Sequence, residues 1–166
     1  MTATDLVEAV ANEIRDAVAN LKLPLEHHDG DGSNYDEAQK FLVPVNVFEG
    51  FLPREAFNND SYWPLVTVEW MSTNDTFGSV AKSISTVGLT MGVFAAENWG
   101  WKDALHLAEV VRHRFLTRRV VGKKFRLTGD ADWEVSSEQP LPFYIIYGVL
   151  QFETFQPSEA IDWSRH

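Results

Sequence analysis

Three side chains in the stretch HLAEVVRH could do chemistry: His106, Glu109 and His113. On a helix they stand at i, i+3 and i+7, the spacing by which one helical face presents imidazole and carboxylate ligands to zinc. The string also approaches the H-x-x-E-H pattern of a metallohydrolase helix. The chemistry would be that of a small metal-dependent hydrolase, with metal-bound water as the nucleophile.

The element that must position these residues argues against that use. In AAENWGWKDALHLAEVVRHRFL, steps of about 100° per residue gather Trp101, Ala104, Leu107, Ala108, Val111 and Phe115 into an arc of about 120°. Lys102, His106, Glu109 and His113 fall on the opposite side. A hydrolytic zinc helix turns its ligands inward, toward a cleft and supporting groups. The other histidines, His27, His28 and His166, lie in segments that read as loop or tail. The expectation is therefore a polar helix face, with no catalytic residue, no resident metal and no cofactor.

Other chemical signatures are missing. The chain has no G-x-S-x-G, no G-x-G-x-x-G and no Walker pattern. Gly30-x-Gly32 lies in an acidic stretch, which repels phosphate. Asp29-x-Asp31-x-Ser33 begins like a calcium loop, but Asn34 and Lys40 stand where Gly and Glu would be needed. Asp130 and Asp132 read as turn residues before Trp133. There is no cysteine, which excludes disulfides, thiolate metal sites and a thiol nucleophile.

Charge is the stronger signal. The 166 residues carry a net charge of −10, unsuited to wrapping nucleic acid with the whole surface. Yet Arg112, Arg114, Arg118, Arg119, Lys123, Lys124 and Arg126 supply half of the 14 basic residues within one acid-free segment. A basic segment on an acidic body is complementary to another copy of itself, which suits head-to-tail association. The plainer reading is a solvated helix end, where cations are favoured by the helix dipole. A nucleic-acid module reading through Lys123, Lys124 and Arg126 is weakened because Phe115 belongs to the apolar helix stripe rather than to a stacking surface.

The pattern of elements predicts a single α+β domain over 1–166. Val7, Val10, Ile14, Val18 and Leu21 predict a helix over 5–21, capped by Asp5 with Glu8 and stopped by Pro24. Residues 25–40 read as an acidic loop, 41–48 as an edge strand held to the margin by Pro44, and 49–62 as an irregular polar connection. WPLVTVEW reads as a half-buried strand, followed by a loop at MSTNDTFGS and a long strand over 80–94. In that strand Val87, Leu89, Met91 and Val93 share one face. Gly88, Thr90 and Gly92 leave the other smooth for a helix or a neighbouring subunit. KKFRLTG reads as a short strand ending at Gly129-Asp130. The last strand is apolar on both faces from Phe143 to Leu150, so both faces should be covered. The tail over 156–166 reads as loose. The expected sheet is mostly antiparallel, with helices packed on one face. The acidic amphipathic start is unlike a signal peptide, and no uncharged run is long enough to span a bilayer, so a soluble protein made inside the cell, without a membrane partner, is expected.

Gly92-Val93-Phe94, Asn98-Trp99-Gly100-Trp101, the helix running to Leu116, then Trp133, Pro140-x-Pro142 and Pro157 form an ordered set. Together with WPLVTVEW, this set resembles the tail terminator (tail completion) proteins of long-tailed bacteriophages, over roughly 1–20 and 62–157. The resemblance implies an α+β subunit of a hexameric ring that caps the finished tail tube and meets the head–tail connector. It implies a virion component assembled in the host cytoplasm, with tail tube protein and connector proteins as partners, DNA only as passing cargo, and no catalysis. The 25–40 and 41–62 segments depart from the family pattern, and related folds serve as other head–tail joining or tail tube proteins. On this reading the subunit interface falls to the basic segment Arg112–Arg126 together with Trp99 and Trp101.

Overall fold

The computed structural model describes residues 2–26, 40–78, 81–95 and 100–154. Most of the acidic 25–40 loop, the dipeptide Asn98-Trp99 and the tail over 156–166 lie outside them.

The chain opens with helix α1, Ala3–Val18. Its cap is one turn earlier than the sequence pattern indicates. Thr2 accepts from the Asp5 backbone N–H, and the Asp5 carboxylate accepts in return from the Thr2 backbone N–H. That hydrogen bond to the Thr2 backbone is the main reason the Asp5 carboxyl sits below its ordinary pKa. Leu6, Val10, Ala11, Ile14 and Val18 form its buried stripe. Pro24 does not stop the helix: it lies within strand β1, Lys22–Glu26, paired antiparallel with β2, Lys40–Pro44. The anticipated 41–48 strand is two elements, because β3, Asn46–Glu49, leaves the hairpin to join the main sheet.

That sheet runs β3-β4-β5-β8-β7-β6, where β4 is Leu65–Thr76, β5 Lys82–Phe94, β6 Val120–Val121, β7 Phe125–Val135 and β8 Phe143–Thr154. All ladders are antiparallel except β3 with β4, which is parallel. The fold is α+β with a mixed, mostly antiparallel sheet. Both α1 and helix α2, Gly100–Thr117, pack on one face. Val66, Val68, Val87, Leu89, Met91, Ile146, Leu150 and Phe152 meet the two helix stripes there in one continuous core. Each such side chain contributes about 1.5–3 kcal/mol through burial.

The opposite face is covered at one end by the chain itself. Two short 3-10 turns, Arg54–Asn58 and Asp60–Tyr62, fill the region expected to be irregular. They hold Trp63 against Leu65, Phe94, Phe143 and Ile145 in a second buried cluster. The indole N–H of Trp63 donates to the Ala56 carbonyl at 2.7 Å, and its ring lies 4.6 Å from that of Phe143. Gly92 is smooth because this indole covers it: a Cβ at Gly92 would stand 2.3 Å from a Trp63 ring carbon. Leu65–Val68 is consequently buried on both faces rather than half-buried.

Two strands are longer than the sequence indicates. MSTNDTFGS is not a loop to Thr76, since β4 continues past a register shift between Trp70 and Ser72. β7 likewise runs through Asp130 and Asp132 to Val135, absorbing a shift between Thr128 and Asp132. Gly129 takes a left-handed φ of 63° in that bulge, a conformation glycine adopts without steric cost.

Candidate subunit interface

The seven basic residues are positioned by four local structures: the end of α2, the connection to β6, the β6–β7 turn and the start of β7. The last turn of α2 lies beside α1. There the Arg114 Nε–H donates to Glu13 at 2.8 Å, and a second guanidinium nitrogen stands 3.6 Å from Asp16. Arg118 reaches the other Glu13 oxygen at 3.6 Å. Arg112 pairs along its own helix with Glu109 at 3.3 Å, an exposed contact of small energetic value. Three members of the segment are thus engaged within the chain.

The remaining four are displayed. Among the described residues, Arg119, Lys123, Lys124 and Arg126 form no ion pair, and all four are exposed. Lys123 and Lys124 occupy the turn between β6 and β7, where the Lys124 N–H donates to the Val121 carbonyl at 3.2 Å. Gly122 and Lys123 at its centre have φ of 55° and 60°, the signature of a type I′ hairpin. Glycine suits the first position. It also lets the turn approach α1, because a Cβ at Gly122 would stand 2.9 Å from that of Ala9. A lysine at the second holds a conformation L-residues avoid.

Trp101 is half-exposed rather than part of the buried stripe of α2. It borders an apolar groove of about 180 Å³ between α2 and the start of β8, lined also by Ala104, Leu105, Val135, Tyr144 and Ile146. Trp99 lies outside the described residues. The sequence reading missed this groove, because Leu105 and Val135 are far apart in the chain and meet only through the β7–β8 ladder.

His106, Glu109 and His113 lie on the exposed side of α2, away from the core. His113 and Glu109 border a wide groove against Ala17 of α1, in company with the Arg114 side chain. Among the described residues, no three His, Asp or Glu side chains converge to hold a metal ion. Among them too, no helix is long and apolar enough to cross a membrane.

No family model matches the chain, and no curated protein matches it. Among solved structures, the chain is similar to one from the virion of a native gene transfer agent particle, at 13% identity and a TM-score of 0.47. That alignment covers 92% of this chain and 96% of the other.

Proposed function

We propose that this chain is a structural, non-enzymatic virion protein: a tail terminator subunit whose copies form a ring by head-to-tail rather than two-fold pairing, capping the tail tube and meeting the head–tail connector. The observation that carries the ring is the displayed cationic edge. Arg119, Lys123, Lys124 and Arg126 stand unpaired among the described residues on a chain of net charge −10. A surface of one sign at one edge and an acidic body elsewhere favour an unlike pairing of faces. Such pairing generates rings when the rotation closes. Lys123 adds to this, because a strained residue at a turn tip is retained most readily where its side chain is used. The assignment to the tail terminator position draws on the resemblance carried by Gly92-Val93-Phe94, Trp133 and Pro140-x-Pro142.

The test is reconstitution with purified tail tubes. Added protein should decorate one tube end and stop elongation, and reversal of Arg119, Lys123 and Lys124 to glutamate should abolish both effects. Capping unchanged by that triple reversal would remove the cationic edge from the interface.

A further inference from the structure

We draw no further inference here: the strongest candidate, the apolar groove between α2 and the start of β8 bordered by Trp101, Leu105, Val135 and Tyr144, carries nothing because nothing in the structure shows what covers it.

Discussion

Arg114 of α2 donates its Nε–H to the carboxylate of Glu13 on α1 at 2.8 Å, with both side chains largely withdrawn from water. This pair ties together the two helices that cover the sheet, and it changes the meaning of the basic segment. A guanidinium held by Glu13, with Asp16 3.6 Å from a second nitrogen, is part of the fold. Glu13→Ala should therefore destabilise the chain by about 1–3 kcal/mol, leaving Arg114 without its charge-assisted hydrogen bond. Chemical denaturation measures this, and a midpoint unchanged from the parent would show the pair to be incidental.

Gly92→Ala places a methyl group where the Trp63 ring now lies, 2.3 Å from a ring carbon. Neither backbone strand β5 nor the buried indole can move freely, so a loss of about 1–3 kcal/mol is expected. Tryptophan emission should shift to the red as the ring is pushed outward. Unaltered emission and stability would mean that the second cluster is looser than its packing indicates.

Thr67 is buried to 1% exposure, and among the described residues its hydroxyl has no hydrogen-bond partner. Thr67→Val keeps the shape and removes the unsatisfied group, so stability should rise by about 1 kcal/mol. A thermal melt that moves downward would show that the hydroxyl is satisfied.

Much of this architecture is legible in the sequence because its periodicities are strong. The stripes of both helices and the Val87–Val93 face needed only spacing, and the exposed placement of His106, Glu109 and His113 followed from them. What escaped has specific causes. Ala56 reads as part of a polar connection and Trp63 as the start of a half-buried strand, because their partners, Phe94 and Phe143, are remote in the chain. Polar residues in the outer parts of β4 and β7 imitate loops, since those stretches are exposed and bulged. The basic run 112–126 was visible as a charge pattern, but its division into internal clamps and displayed cations depends on where α1 lies.

Lys123 offers a separation of stability from assembly. Lys123→Gly relieves a left-handed residue at φ 60° and should stabilise the monomer by up to about 1 kcal/mol. On the ring account the same change weakens assembly, because it removes a displayed cation. A variant that melts higher and assembles equally well would assign Lys123 no part in the interface.

On the proposed function, copies of this chain form a closed ring by pairing unlike faces. Mass photometry of the purified chain at micromolar concentration tests it most directly. One closed species at about six times 18.8 kDa is expected, dissociating as salt is raised because its displayed charges are screened. A single species at the monomer mass, at every concentration and salt and in the presence of tail tubes, would contradict it.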